Sequence, residues 1–190
     1  MIDIHSIITL TPAEWEILNP ALERVVLGKN DFFLKDGSVC RSIAFVCSGV
    51  LIYYKTMENG NEVTTDFALE GDWVTNNFSR LSGSPSRLNI KALEETELWV
   101  IKQKDLNSLY DKIPMLERFS RMLMEQSYVK LVQLSVDLQT LSATERYVKL
   151  LRNYPEIFQK VPQYHIANYL GIAPKSLSRI RNSAFSDNNH

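Results

Sequence analysis

Four turn dipeptides set the strongest constraint on how the first half of this chain can fold. Asp36-Gly37, Ser48-Gly49, Asn59-Gly60 and Glu70-Gly71 place their glycines 12, 11 and 11 residues apart. That is the rhythm of consecutive antiparallel strands in a barrel or jelly roll. Short apolar runs stand in the same stretch: Ile43-Ala44-Phe45-Val46, Val50-Leu51-Ile52-Tyr53-Tyr54 and Leu98-Trp99-Val100-Ile101. Glu58-Asn59-Gly60-Asn61 is the sharpest hairpin signal, because Asn-Gly supplies the positive φ angles of a type I′ turn. The spacing predicts a β-roll from about Val25 to Lys102. A helix precedes it, with Thr11 as cap, Pro12 in the first helical position and Glu14 in the third, running through Trp15, Leu18 and Leu22.

After Asp105 the period becomes helical. Ile113-Pro114 opens a stretch without Gly or Pro that reaches about Leu138, and Met115, Met122, Val129 and Val136 recur in it at intervals of seven. Such a stripe either pairs two helices in a homodimer or lies against its own domain. Roughly 25 residues rise about 37 Å at 1.5 Å each, more than a small roll needs for cover, which favours the dimer. Ser142-Ala143-Thr144-Glu145 is a capping box for another helix, carrying Tyr147, Leu150 and Leu151 and stopped before Pro155. The expected class is therefore α+β: an N-terminal β-roll over residues 1–112, a long dimerisation helix over 113–138 and a helical domain over 139–190.

The most informative segment runs from Val161 to Arg181 and reads as two short helices about a tight turn. Ile166, Leu170, Ile172, Leu177 and Ile180 are its apolar positions. Ala167 must be small where the helices cross, Gly171 suits a left-handed turn, and Pro174 begins the second helix, where its missing N–H costs nothing. The outward face of that helix carries Lys175, Ser176 and Arg179, with Arg181 nearby, side chains able to reach base edges and phosphates in a major groove. A plain helical hairpin with a solvated basic face is the alternative. Charge supports the first reading: residues 1–140 hold 14 basic and 19 acidic side chains, a balance of −5, whereas residues 141–190 hold 7 and 3, a balance of +4.

Other classes find little support. No run of about 18 apolar residues suggests a membrane span, and residues 1–10 lack the basic start of a signal peptide. Cys40 and Cys47 are too few for an iron–sulfur cluster or a structural zinc site, and they suit a reducing cytoplasm. The three histidines, His5, His165 and His190, are scattered, so no metal or haem site is expected. Neither a catalytic triad order, a Walker loop nor a dinucleotide fingerprint occurs; no enzyme and no cofactor are expected.

The chain as a whole resembles the Crp/Fnr (catabolite-activator and fumarate–nitrate regulator) family. An N-terminal helix, a glycine-punctuated roll and a long helix are followed by Thr144-Glu145-Arg146-Tyr147. Then comes Ile166-Ala167-x-x-Leu170-Gly171-Ile172-x-Pro174-x-x-Leu177-Ser178-Arg179-Ile180-Arg181. The last two strings are especially similar to the family's branch in Bacteroidetes. The resemblance implies a roll like a cyclic-nucleotide-binding domain and a C-terminal helix-turn-helix. It also implies a cytoplasmic homodimer regulating transcription on double-stranded DNA, with RNA polymerase as partner. Lys175, Ser176 and Arg179 would read bases, while Gln163 and Arg181 would support phosphate contacts. Two departures stand out: Ala173 replaces the usual Ser or Thr cap of the recognition helix, and Lys175 replaces a frequent acidic residue.

The same resemblance locates a ligand cassette between Gly71 and Ile90. Gly71 and Asp72 open it, Asn76 stands where cyclic-nucleotide binders place Glu, and Ser86 where they place Arg. Arg87 falls one residue out of place, which in a strand turns a side chain to the opposite face. Cyclic AMP is therefore not the expected effector, and the identity of any small-molecule effector stays open. The competing function is a ligand-binding roll whose C-terminal helices make protein contacts only.

Overall fold

The computed structural model describes residues 8–186; His5 and His190 lie outside them. The chain divides into two compact units, Met1–Lys55 with Asp66–Glu125, and Thr56–Thr65 with Gln126–His190.

Unit 1 opens with helix α1 (Pro12–Leu18), capped as expected: the Glu14 amide donates to Thr11 Oγ1 and the Thr11 amide donates to the Glu14 carboxylate at 2.8 Å. The helix does not run on to Leu22. Pro20 brings no N–H to continue it, so the chain tightens into a 3-10 turn over Asn19–Ala21. The roll follows as two four-stranded antiparallel sheets. In the first, β1 (Glu23–Leu27) pairs with β8 (Thr96–Lys102), β8 with β3 (Ser42–Ser48), and β3 with β6 (Trp73–Val74). The second has the order β2 (Phe32–Leu34), β7 (Asn89–Ala92), β4 (Leu51–Thr56), β5 (Glu62–Ala68).

Inward residues of both sheets, among them Leu34, Ala44, Val46, Leu51, Val74, Ile90 and Leu98, form one apolar core. The strands alternate too little to face water on one side only; β3 is buried over Ala44–Cys47 because α1 and its turn cover it, with Phe45 and Cys47 packing on Trp15, Leu22 and Trp73. A helix unforeseen in the sequence, α2 (Asn77–Ser82), interrupts the strand rhythm. β8 leads directly into α3 (Gln103–Lys112), whose Leu106 and Leu109 join Leu18, Ile101, Ile113 and Leu116 in a second cluster.

Pro114 starts α4 (Pro114–Thr140), which spans both units. Unit 2 continues with α5 (Ala143–Asn153), a short α6 (Ile157–Lys160), α7 (Gln163–Tyr169) and α8 (Pro174–Ser186). The expected capping box of α5 is present, Ser142 and Glu145 bonding each other's main chain. Its core is Tyr147, Leu150, Ile157, Val161, Ile166, Ala167, Leu170 and Leu177, all buried.

Gly49 shows why the turn positions are demanding. At φ +94° a Cβ would fall 2.7 Å from the Glu95 carbonyl oxygen and against Thr96 Oγ1, whereas at Gly37, with φ +81°, a Cβ would meet nothing within 4 Å. A left-handed backbone costs an L-residue about 1–2 kcal/mol. We expect Gly37→Ala to lose about that much in urea titration. Gly49→Ala should lose clearly more, because a main-chain oxygen cannot step aside; equal losses at the two sites would refute the steric argument.

Candidate nucleic-acid interface

Helices α7 and α8 cross about the turn Leu170–Ala173. Ala167 is fully buried at the crossing beside Leu177, and Gly171 takes φ +68°, the left-handed turn foreseen for it. The Ile172 amide reaches back to the Ala167 carbonyl at 3.0 Å. With Ala173 no side chain is available to cap α8; its carbonyl instead accepts from the Ser176 and Leu177 amides at 2.9 and 3.1 Å. Lys175 and Arg179 stand exposed one turn apart with half-buried Ser176 between them, on one face, since residues three and four apart are neighbours. Arg181 is elsewhere: together with Gln163 it lines a cavity of about 240 Å³ walled by Tyr147, Leu151 and Phe158. Its charge lies near enough to the Tyr147 phenol to oppose the rise in pKa that burial causes there.

On α4 the four residues of the seven-residue stripe are open to solvent: Met115 41%, Met122 45%, Val129 65% and Val136 46% exposed. Sequence reasoning missed a second stripe at the same interval, Met124, Leu131 and Leu138, also exposed.

In the roll, Asn76 and Ser86 meet. Asn76 caps α2 by accepting from the Ser79 amide and donates from Nδ2 to Ser86 Oγ at 2.9 Å. Ser86 Oγ in turn donates to the Leu88 carbonyl at 2.6 Å, and Ser86 is 2% exposed. Gly71 and Asp72 are committed to the turn before β6, Asp72 accepting from the Leu69 amide and Gly71 donating to the Val46 carbonyl. Arg87 stands apart, exposed. Tyr53, which the sequence did not single out, has its pKa pushed far up, first by burial and then by the charge of Asp66.

A family model described as the cyclic nucleotide-binding domain matches residues 24–112. The fumarate and nitrate reduction regulatory protein of Vibrio cholerae is 27% identical over 184 residues, covering 90% of this chain and 73% of the relative. The transcriptional activator protein anr of Pseudomonas aeruginosa is 26% identical, covering 91% and 75%. Among solved structures, FixK2 from Bradyrhizobium japonicum superposes with a TM-score of 0.75 at 18% identity, covering 88% of this chain and 86% of that one. A Crp/Fnr regulator from Eubacterium rectale gives 0.69 at 19% identity, covering 94% and 85%. Over most of its length the chain is similar to regulators of the Crp/Fnr type.

Like those structures, the chain combines a β-roll, a long helix and C-terminal helices in one α+β fold. Three contacts in unit 2 escaped the sequence reading. The Arg146 guanidinium donates to the Leu170 carbonyl at 2.9 Å and to the Leu141 carbonyl at 2.6 Å. Thr64 and His165 share a hydrogen bond of 2.7 Å, and Asn168 Nδ2 donates to the Glu62 carbonyl at 2.7 Å. The Thr-Glu-Arg-Tyr string was a signal for the first; the other two join positions about a hundred residues apart, for which no spacing rule exists.

Near the end of α4, Lys149 and Gln133 donate to the Asp137 carboxylate and hold its pKa below the ordinary value of 3.8 against the opposing effect of burial. A carboxylate held low in the fold contributes stability above its unfolded pKa and loses it as pH falls through the lower, folded value. We expect thermal unfolding of unit 2, followed by circular dichroism, to ease as pH drops below about 4. Asp137→Asn should have a shallower acid dependence than wild type; an identical slope would remove Asp137 from the account.

Proposed function

We propose that this protein is a sequence-specific, double-stranded-DNA-binding transcription regulator of the Crp/Fnr family that works as a homodimer. The observation that supports it best is the pair of exposed side chains Lys175 and Arg179, with half-buried Ser176 on the same face of α8, the second helix of a turn that has the helix-turn-helix crossing at Ala167 and Gly171. A helix that enters the major groove by its N-terminal end brings such a triplet to base edges. Arg179 has the planar fork that matches guanine O6 and N7, so it is the main reader. Ser176 and Lys175 flank it, Lys175 donating to guanine or phosphate. Gln163 and Arg181 lie off that face and support backbone contacts at most. RNA polymerase is the partner this reading implies.

Two identical half-sites need two protomers, and the exposed α4 stripe of Met115, Met122, Val129 and Val136 is the surface for pairing. An apolar row this long is costly to leave in water. The roll is the sensor, but for something other than cyclic AMP. In place of two charged anchors it has Asn76 and Ser86, already bonded to each other, and each lost charge-assisted contact weakens binding by about 1.5–3 kcal/mol.

Selection of duplexes from a random pool, followed by a salt titration, tests the central reading: enrichment of a two-fold symmetric site and a steep salt slope support it, and no enrichment refutes it. On the selected site, Arg179→Ala should weaken binding by about 1–3 kcal/mol and relax preference at one base pair per half-site. Arg181→Ala should lower all affinities alike or leave them unchanged. An equal loss on cognate and scrambled duplexes for Arg179→Ala would make that residue a phosphate contact. Val129→Glu puts a charge into the pairing stripe and should yield monomers by light scattering, with poor DNA binding; a monomeric wild type at micromolar concentration would sink the dimer.

A further inference from the structure

The β4–β5 hairpin end does not stand alone in solvent. Thr56–Thr65 clusters with the C-terminal helices in unit 2, and three bonds explain why. Thr64, 2% exposed, shares its hydroxyl with Nδ1 of His165, 1% exposed, at 2.7 Å. The Glu62 carbonyl accepts from Asn168 Nδ2 at 2.7 Å. Burial first, then the charge of the Glu62 carboxylate and its acceptance of the Tyr164 hydroxyl, hold that phenol's pKa above its ordinary value. Tyr164, His165 and Asn168 lie three and four residues apart, so they form one face of α7. The hairpin thus grips the first helix of the helix-turn-helix.

That grip opposes DNA in two ways. In helix-turn-helix complexes the first helix crosses the nucleic-acid backbone, so hairpin and duplex make claims on the same short helix. The grip also changes the charge a duplex meets. Residues 126–190 carry 8 basic and 4 acidic side chains, a balance of +4, while residues 56–65 add Glu58 and Glu62 and no basic residue, lowering the balance of unit 2 to +2. Counterion release makes affinity depend steeply on such charges. The hairpin is also continuous with β4 and β5 of the roll, so any change that draws on those strands pulls on the grip.

We propose that the β4–β5 hairpin is an autoinhibitory clasp: bonded through Glu62 and Thr64 to Tyr164, His165 and Asn168, it holds α7 in a state of low DNA affinity until it lets go. The inference rests on the DNA-binding reading above. A protein whose competent state is only partly populated binds more weakly by that fraction, so loosening the clasp strengthens binding with no new contact to DNA.

The test uses the full-length chain. Thr64→Val keeps the shape of the side chain and removes its hydroxyl; Glu62→Gln keeps the main-chain carbonyl and removes the charge. Both residues lie outside α7 and α8, so neither change touches a base-reading side chain. Hydrogen exchange over residues 56–65 reports the clasp itself, and fluorescence anisotropy on the selected duplex reports its consequence. We expect exchange in the hairpin to quicken in Thr64→Val and DNA affinity to rise by about three- to tenfold, the range set by losing one net hydrogen bond. Glu62→Gln should raise affinity in the same direction with a smaller effect on exchange. Quickened exchange with unchanged or weaker DNA binding would overturn the autoinhibition. Unchanged exchange in both variants would show that the clasp does not exist in solution. If wild type and variants alike select no duplex, the DNA-binding reading falls and this inference with it; the exchange data would still tell that failure from a missing clasp.

Discussion

The ends of two helices in unit 2 would present bare carbonyls to a crowded interior if Arg146 did not meet them. The last turn of any helix leaves carbonyls without intrahelical partners, and one guanidinium satisfies Leu141, just beyond α4, and Leu170, at the end of α7. Arg146 has five donors in a rigid plane, so it fixes directions as well as distances. Its own helix is held by the Ser142–Glu145 capping box immediately before it. The turn that carries α8 therefore inherits its orientation from α5 and the end of α4. Gly171 lies at that junction; a Cβ there would stand 4.0 Å from Leu138 Cδ2 in a left-handed backbone.

From that junction the division of labour on α8 follows by angle alone. Successive residues turn about 100°, so Lys175, Ser176 and Arg179 share a face, and Arg181 comes out about 200° from Arg179. Leu177, on the inner side, is 2% exposed. Arg181 ends beside Tyr147 and Phe158, whose rings meet edge-on at 5.2 Å. An arginine over aromatic walls keeps its stem dry and its charge wet. Two arginines two residues apart thus belong to different environments, one aimed outward and one folded against its own domain.

What could be read in the sequence was what has a local period or a local chemical signature. Thr11 with Glu14 and Ser142 with Glu145 announced two helix starts, Pro114 announced a third, and the glycine rhythm announced the roll. Ala167, Gly171 and Pro174 announced the crossing of α7 and α8. Illegible were features whose partners lie far away in the chain. α2 starts on a local cap, Asn76 accepting from the Ser79 amide, but its tie to the roll is distant: Ser79 Oγ accepts from the Cys40 amide while donating to the nearby Ser84 carbonyl. Its six residues carry one apolar pair, Phe78 and Leu81, too short a pattern to mark a helix, and both are exposed. Thr64 and His165 are the same case at greater distance: a threonine in a strand and a histidine in a helix are ordinary separately, and only the fold makes them a pair.

The cassette of the roll shows how a neutral substitution changes what a binding site needs. A Glu and an Arg facing a ligand pocket must either be solvated or be paired, because an unpaired buried charge is costly. Such a site leans on its ligand for part of its stability. Asn76 and Ser86 have no such debt: each is both donor and acceptor, and the chain Asn76 Nδ2 to Ser86 Oγ to the Leu88 carbonyl is closed without any guest. The 2% exposure of Ser86 is compatible with that closure, since a fully bonded hydroxyl tolerates burial. A cyclic phosphate entering here would have to break two good hydrogen bonds and would find no charge to compensate. On the proposed reading, selectivity against a cyclic phosphate would follow from this closed pair, and an effector would act by contacts other than an ion pair at these two positions.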